Sequence, residues 1–207
     1  RELRSLVAWM ITGSAGTVLV LVGVGTPQSL GAAMFYLPHA TFAAAALMLV
    51  AGMLAAARGP ALADRFETGP PPAAAALLGT LFMLGAMGEA GLPPLSGFVA
   101  KAILLDSVRG AGFTAAIWLV VLGASLAWVV ALSRAGSRIF WKSRGAERAA
   151  AAGARAAEAP ARDAADAATG AASVDRGAIS AVVLLAAAGV AIVVLAGPLA
   201  RHFAEAG

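Results

Sequence analysis

Long apolar runs alternate along this chain with short stretches that are rich in glycine, proline or charged residues. Five of the runs are long enough to cross a bilayer as helices, which requires about 20 residues. They lie at approximately residues 6–25, 30–57, 73–108, 112–132 and 178–199. The pattern predicts an all-α integral membrane protein with about five transmembrane helices.

The third run is too long for one straight span, and it contains a Leu-Pro-Pro sequence at residues 92–94. A proline ring removes one backbone donor and clashes with the carbonyl four residues earlier. We therefore expect a broken third helix, with its halves at approximately residues 73–90 and 95–108. Interrupted backbone at membrane depth is tolerated where other protein or a wet cavity covers it. The break is therefore a candidate functional site.

The composition agrees with a membrane protein. Of the 207 residues, 60% are hydrophobic and 13% are charged, and the mean hydropathy is +0.85. The apolar share of a soluble domain is about 45–50%. The chain has no cysteine, which excludes disulfides and thiolate metal sites. It also has no glycine-rich phosphate loop, nucleophile elbow or metal-ligand spacing, so we expect no cofactor, no metal and no catalytic residue.

The positive charge follows from the arginines and lysines that flank the apolar runs. The net charge is +4, but no basic patch is interleaved with aromatic residues, which argues against a nucleic-acid partner. Twelve of the 15 basic residues lie in the N-terminal flank, in the loop at residues 58–65 and in the connection at residues 134–176. Since cytoplasmic loops are enriched in Lys and Arg, we expect the N-terminal flank in the cytoplasm and the C-terminal tail outside.

Residues 142–177 differ from the rest of the chain. They are rich in alanine with scattered charges and no apolar stripe, so they have little with which to bury a core. We expect a mobile cytoplasmic connection here, between a four-span bundle at residues 1–141 and a last helix with an outside tail at residues 178–207. Because the chain begins with Arg1 rather than methionine, we also expect it to be a piece of a longer polypeptide.

Two charged residues lie inside the broken third run. Lys101 is in its second half, and Glu89 comes just before the break. A charge within a membrane segment is expensive and indicates function by default. Burial favours the neutral amine of Lys101 unless an acid pairs with it, and Glu89 is a candidate partner across the break. A lysine poised between both forms can pass protons. The alternatives are that Lys101 extends to the interface and that Glu89 occupies a hydrated pocket without a relay role.

His39 lies in the middle of the second run, next to Pro38. We expect Pro38 to kink or unwind this helix. Histidine can accept and donate protons near neutral pH, which suits a proton relay. The alternatives are a hydrogen-bonded packing histidine and a haem ligand, although the other histidine, His202, lies in the C-terminal tail.

Asp106 lies near the end of the third run, three residues before Arg109. It can mark a hydrated mouth of the relay or pair with Arg109 at the membrane interface. Of these two interpretations, we favour the interface.

The break carries a resemblance to a known family. Residues 91–101, Gly-Leu-Pro-Pro-Leu-Ser-Gly-Phe-Val-Ala-Lys, resemble the signature of the antiporter-like membrane subunits. This family joins the proton-pumping subunits of respiratory complex I, the membrane subunits of hydrogenases and the Mrp-type cation/proton antiporters. Three further segments, at residues 2–9, 36–46 and 132–141, are most similar to the D-type subunit of the Mrp antiporters. The resemblance covers the C-terminal portion of such a subunit.

The resemblance implies roles for two of the candidate residues. His39 corresponds to a relay histidine on the central axis, and Lys101 corresponds to the terminal lysine of the broken helix near the outward exit. Glu89 matches no motif position of the family. The candidate proton relay consists of Lys101, His39, Glu89 and Asp106, and the helix break consists of Gly91, Pro93, Pro94 and Gly97.

Three functions follow as hypotheses. The first is a proton- and monovalent-cation-translocating subunit of a multi-subunit antiporter in the bacterial cell membrane, with other antiporter subunits, the lipid bilayer, protons and Na⁺ or K⁺ as partners. The second is a proton-pumping membrane subunit of an NADH–quinone oxidoreductase or hydrogenase complex. The third is a membrane scaffold without transport. Only the second would make the chain part of an enzyme.

Overall fold

The protein, described here by a computed structural model, is mostly helical, and the described residues outside the helices form short loops and turns. The described residues are 2–69, 72, 74–93, 95–142 and 176–205, and of residues 192–205 only the backbone is described. The helices are α1 (Leu3–Val24), α2 (Pro27–Leu62), α3 (Ala75–Ala90), α4 (Ser96–Ser107), α5 (Thr114–Gly136, continued by a π-helical turn at Ser137–Trp141) and α6 (Arg176–Glu205). The predicted all-α class is confirmed.

Three of these helices are long and apolar enough to cross a membrane: α1, α2 and α5 with its π-helical turn. Two shorter apolar helices, at Ala75–Ala90 and Arg176–Ala191, belong to the remaining predicted spans. The predicted break in the third span is confirmed, because α3 and α4 are separate helices at nearly the predicted positions. The alanine-rich connection lies outside the described residues except at its two ends.

The long helix α2 forms the centre of the bundle. It packs against α1, α3, α4 and α6, whereas α5 contacts mainly α3 and, less closely, α1. A helix that is apolar on all sides is suited to such a central position. The outward face of α5 exposes large apolar side chains such as Leu119 and Leu126, as expected for a surface that water does not cover.

Among the described residues, two apolar clusters form the core. The first cluster joins Met10 of α1, Leu47 and Leu54 of α2, Phe82 of α3 and the π-helical turn. The second cluster lies toward the other end of the same helices and joins α1 and α2 to α4 and the start of α5. Along α1 and α2, a polar layer falls between the two clusters. We define this polar layer as Ser14, His39, Glu89, Ser96 and Lys101.

The helix α2 passes through Pro38 without interruption. Its one residue with non-helical backbone angles is Gly59, at φ 73° and ψ 174°. The predicted unwinding beside His39 is therefore wrong. The neighbouring helices pack on α2 from several sides, and this packing holds the helix together where Pro38 removes a backbone hydrogen bond.

The loop after α2 forms hydrogen bonds with the first turn of α1. The backbone N–H of Arg4 donates to the carboxylate of Asp64 (2.8 Å), and the N–H of Leu3 donates to the Asp64 carbonyl (3.0 Å). Asp64 is buried, and it satisfies N–H groups that a helix leaves free at its first turn. Glu2 pairs with Arg65 at the same end (3.5 Å), so these two segments share one end of the bundle.

Candidate functional site

The break between α3 and α4 begins at Gly91, which has φ +80° and ψ 40°. The N–H of Leu92 donates to the Met87 carbonyl (3.0 Å), and the N–H of Gly91 donates to the Gly88 carbonyl (3.2 Å). This pair of bonds is the Schellman motif, which ends a helix on a left-handed residue. The chain thus leaves the helix two residues before Pro93. The prolines were expected to break the helix, but Gly91 starts the break, and Pro94 lies outside the described residues.

Lys101 extends from α4 back to the end of α3. Its Nζ donates to the carbonyl oxygens of Glu89 (2.8 Å) and Ala90 (2.9 Å). These are the last carbonyls of α3, which the two bonds at Gly91 leave without a partner. The C-terminal end of a helix carries partial negative charge and stabilises a cation. Lys101 therefore caps α3 from within the bundle.

Two glycines allow α4 to approach α3 this closely. A Cβ on Gly91 would lie 2.7 Å from Cδ of Lys101. A Cβ on Gly97 would overlap the carbonyl oxygen of Gly88 and would lie 3.1 Å from Cα of Gly91. The first turn of α4 thus rests directly on the backbone at the end of α3, and glycine at residues 91 and 97 leaves space for it.

Glu89 lies in the polar layer with an unused oxygen. The residue is 5% exposed, and its Oε2 has no hydrogen-bond partner among the described residues. Lys101 contacts Glu89 through the backbone carbonyl, and in the described part of the chain no ion pair joins the ammonium to the carboxylate. A buried carboxylate without a full set of partners is unstable unless it gains a proton, a cation or water.

A cavity of about 450 Å³ reaches Glu89 and Lys101 from the side of the bundle between α1 and α5. Its other polar lining includes Ser14, Thr17 and Tyr36. The hydroxyl of Tyr36 donates to Ser14 Oγ at 3.4 Å, and Ser14 and Glu89 line the cavity together. The cavity is thus apolar along its walls and polar where it meets the two buried charges.

His39 is connected to the other side of the break. It is 3% exposed, and its Nδ1 lies 2.9 Å from Oγ of Ser96, the first residue of α4. A Cβ on Gly189 of α6 would lie 3.3 Å from the same Oγ, so α6 covers this pair closely. The side chain of His202, which the haem alternative would need, lies outside the described residues.

Asp106 lies apart from the other candidates. Its carboxylate pairs with Arg109 at 3.1 Å, and both side chains are mostly exposed. Arg109 also stacks over Trp118, with its guanidinium carbon 5.9 Å from the ring centroid. The structure thus brings Lys101, Glu89 and His39 to the break and leaves Asp106 in a surface ion pair.

Three polar residues of the site were not among the predicted ones: Ser14, Tyr36 and Ser96. Tyr36 lies three residues before His39, on the same face of α2, and this spacing was available as a signal. Ser96 is part of the segment that carries the family resemblance. Ser14 lies among small residues that predict only close helix packing, and its contacts with α2 and α3 depend on the folded bundle.

Comparison with known proteins supports the resemblance. A family model described as "NADH:quinone oxidoreductase/Mrp antiporter, TM" matches residues 1–127. The chain belongs to this family. The matched region of this NADH:quinone oxidoreductase/Mrp antiporter family member includes the break, His39, Glu89 and Lys101.

Individual relatives agree with the family. A probable K(+)/H(+) antiporter D subunit of Rhizobium meliloti is 32% identical over 67% of this chain and 31% of its own length. A Na(+)/H(+) antiporter D subunit of Bacillus subtilis is 34% identical over 68% of this chain and 28% of its own. A protein of the same description from Alkalihalophilus pseudofirmus is 29% identical over 50% of this chain and 21% of its own. The chain thus spans less than a third of the length of these curated relatives.

Proposed function

We propose that this chain is part of a proton- and monovalent-cation-translocating subunit of a multi-subunit cation/proton antiporter. The proposal rests on the observation that two titratable side chains, His39 and Lys101, form hydrogen bonds on opposite sides of one helix break. His39 contacts the first turn of α4 through Ser96, and Lys101 contacts the last turn of α3. The family match and the three relatives named as antiporter subunits support the same function.

Protons would move between His39 and Lys101 by way of the break. The Ser96 hydroxyl can both accept and donate a hydrogen bond, so it can transfer a proton from His39 toward the break. Water in the interrupted segment would complete the path to Lys101, since covered or wet cavities are where broken backbone is tolerated in membranes. Glu89 offers a carboxylate beside the same path. No covalent chemistry is required.

Release of the Lys101 proton would act as the switching event. A neutral amine no longer neutralises the negative end of α3, so the last two carbonyls of α3 would then need water or another cation. The break would thereby change its hydration with each transfer. Asp106 would stay at the membrane interface with Arg109, outside the buried relay.

We also propose the orientation that the basic residues predict. The N-terminal flank and the loop at residues 58–65 would face the cytoplasm, and the C-terminal tail would face outward from a bacterial cell membrane. The contacts of Glu2 with Arg65 and of Arg4 with Asp64 support this orientation, because they join two of the basic flanks at one end of the bundle, as the positive-inside rule requires.

The family description also includes NADH:quinone oxidoreductase, so a redox-driven pump is the second candidate. The two candidates differ in what drives proton movement. Cation/proton exchange that persists in vesicles without an electron donor supports the antiporter. Proton movement that requires an electron donor supports the redox complex.

The replacement Lys101→Ala tests the relay directly. In the full-length operon, expressed in a strain without its own antiporters, we expect exchange to be lost while the complex still assembles. The matched control is Lys142→Ala, since Lys142 is an exposed lysine beyond α5. Exchange would be followed as the collapse of a proton gradient in vesicles after addition of Na⁺ or K⁺. Full exchange by Lys101→Ala would remove Lys101 from the mechanism.

A further inference from the structure

The ammonium group of Lys101 lies among oxygen atoms that suit a free cation equally well. Its two acceptors are the carbonyls of Glu89 and Ala90, at 2.8 and 2.9 Å. Both carbonyls belong to the negative end of α3. In membrane transporters, carbonyls at the ends of interrupted helices are ligands for Na⁺. The position that Nζ occupies therefore has the charge and the ligand type of a monovalent cation site.

The Glu89 carboxylate is a second feature that points to a ligand. Its Oε2 is buried and has no hydrogen-bond partner among the described residues. Lys101 binds the backbone carbonyl of Glu89 and leaves this side-chain oxygen unbonded. Burying a carboxylate is unfavourable unless a counter-charge or hydrogen bonds compensate for the lost hydration. Lys101 gives part of that compensation through its nearby charge, and the unused oxygen leaves room for a further ligand.

A route to this position is present. The cavity between α1 and α5 is lined by both Glu89 and Lys101, and it also contains the hydroxyls of Ser14 and Tyr36. Gly13 and Gly16 of α1 are part of its wall, and their lack of side chains keeps it open. A volume of about 450 Å³ holds several water molecules, each of which occupies about 30 Å³ in the liquid, so a partly hydrated Na⁺ or K⁺ fits.

We propose that the carbonyls of Glu89 and Ala90, the Glu89 carboxylate and the Ser14 hydroxyl form a binding site for a monovalent cation. In the structure, the ammonium group of Lys101 occupies this site. A cation and the ammonium exclude each other, because both need the same carbonyl oxygens and carry the same charge. The inference rests on the proposed antiporter function and deepens it, since one site would bind the proton carrier and the cation in turn.

Among the side chains that the structure describes, few other charges act on this site. In that part of the chain, the titratable groups that face Lys101 are Glu89 on α3 and His39 and Tyr36 on α2. The parts of α1 and α5 that line the cavity contribute hydroxyls, an indole and apolar groups. Competition between the cation and the ammonium therefore depends chiefly on Lys101 and Glu89.

Direct binding to the purified complex in detergent tests the site, with radioactive sodium and rubidium as probes. We expect Lys101→Met to bind the cation about tenfold more tightly than wild type, because it removes the competing charge. We expect Glu89→Gln to bind at least about tenfold more weakly, the loss typical of removing a charged partner. Ser14→Ala should weaken binding by a smaller factor.

The matched control is Ser125→Ala. Ser125 lines the same cavity, but its hydroxyl is bonded to the Val121 carbonyl at 2.9 Å, so its loss should leave binding unchanged. Wild-type protein supplies a second measurement that does not depend on the folding of a variant. Addition of NaCl to the weakly buffered complex should release protons, and addition of choline chloride should not.

The outcomes separate this inference from the proposed function. If Lys101→Met and Glu89→Gln bind as wild type does and no protons are released, the cation site is overturned, even where Lys101→Ala abolishes exchange. If the cation site responds as expected while Lys101→Ala keeps full exchange, the site stands and the proposed relay is overturned. Weaker cation binding by Lys101→Met than by wild type would also overturn the inference. It would mean that the ammonium group favours cation binding rather than competing with it.

Discussion

The backbone behaves differently near Pro38 in α2 and near Pro93 between α3 and α4. The backbone remains helical through Pro38, whereas α3 ends before Pro93 is reached. The difference is in the surrounding residues. Before Pro93, Gly91 adopts left-handed angles and Lys101 caps the carbonyls that are left free. Around Pro38, packing by the neighbouring helices keeps the helix continuous.

Proline therefore marks a place where a membrane helix can be interrupted, and other residues decide whether it is. A proline inside a helix costs about 3 kcal/mol, which close packing of a central helix offsets. The cost of a proline is not sufficient to interrupt a helix. An interruption also needs a residue that accepts positive φ, and it needs partners for the carbonyls that the helix abandons.

The largest effect that we expect comes from Gly97. Gly97→Ala places a Cβ against the Gly88 carbonyl, so α4 must move away from α3. Overpacking of this kind costs about 1–3 kcal/mol, and the shift also carries Lys101 away from its acceptors. We expect loss of exchange and a lower thermal unfolding midpoint of the complex in detergent.

The matched control for Gly97 is Gly123→Ala in α5. Nothing lies within 4 Å of a Cβ at Gly123, and alanine is the better helix former by about 1 kcal/mol. Stability should be equal to that of wild type or slightly higher. If the two variants behave alike, the close approach of α4 to α3 is unimportant.

Gly91→Ala should have the next largest effect. A non-glycine residue with left-handed backbone angles costs about 1–2 kcal/mol, and a Cβ here also contacts the Lys101 side chain at 2.7 Å. We expect exchange to fall strongly, because the ammonium is pushed from the end of α3. Exchange and the thermal midpoint would be measured together.

Gly110→Ala distinguishes the two causes expected for the Gly91→Ala effect, which are backbone strain and the contact with Lys101. Gly110 also has positive φ, at +90°, but nothing lies within 4 Å of its Cβ position. This variant should lose stability and keep exchange. An equal loss of exchange at both positions would show that backbone strain, rather than the contact with Lys101, is responsible.

The smallest effects should come from the prolines themselves. Pro38→Ala restores a backbone donor within an existing helix, so we expect higher stability and nearly normal exchange. Pro93→Ala should not join α3 to α4, because Gly91 has already ended α3. Helical content from far-ultraviolet circular dichroism would test this, since a clear gain in Pro93→Ala alone would make Pro93 the cause of the break.

Much of the fold could be predicted from the apolar pattern. The starts of the helices were predicted within about three residues, and both halves of the broken span lie nearly where they were predicted, because a membrane requires apolar runs of defined length. The helices α2, α5 and α6 continue beyond their predicted ends, to Leu62, Gly136 and Glu205. The family resemblance was confirmed as well. The predicted unwinding at Pro38 was wrong, since the local sequence does not show how tightly neighbouring helices enclose α2.

The site was predicted in part. Lys101, Glu89 and His39 were singled out because charged and titratable residues are costly in a membrane. Their bonds were not predicted. A pairing of Lys101 with the Glu89 side chain was considered, but Lys101 binds the backbone carbonyls of Glu89 and Ala90. Those carbonyls are free only because the helix ends there in a Schellman motif.

The amino-acid sequence by itself determined that the chain forms apolar helices, approximately where they begin, and that Lys101, Glu89 and His39 are titratable residues within them. These properties follow from composition and from the period of single segments. The tertiary structure alone decided that Ser96 contacts His39, that Asp64 caps α1, and that Ser14 and Tyr36 meet Glu89 in one cavity. Such contacts join residues that are distant in the chain, and they form only when the helices pack and bury polar groups that must then find partners.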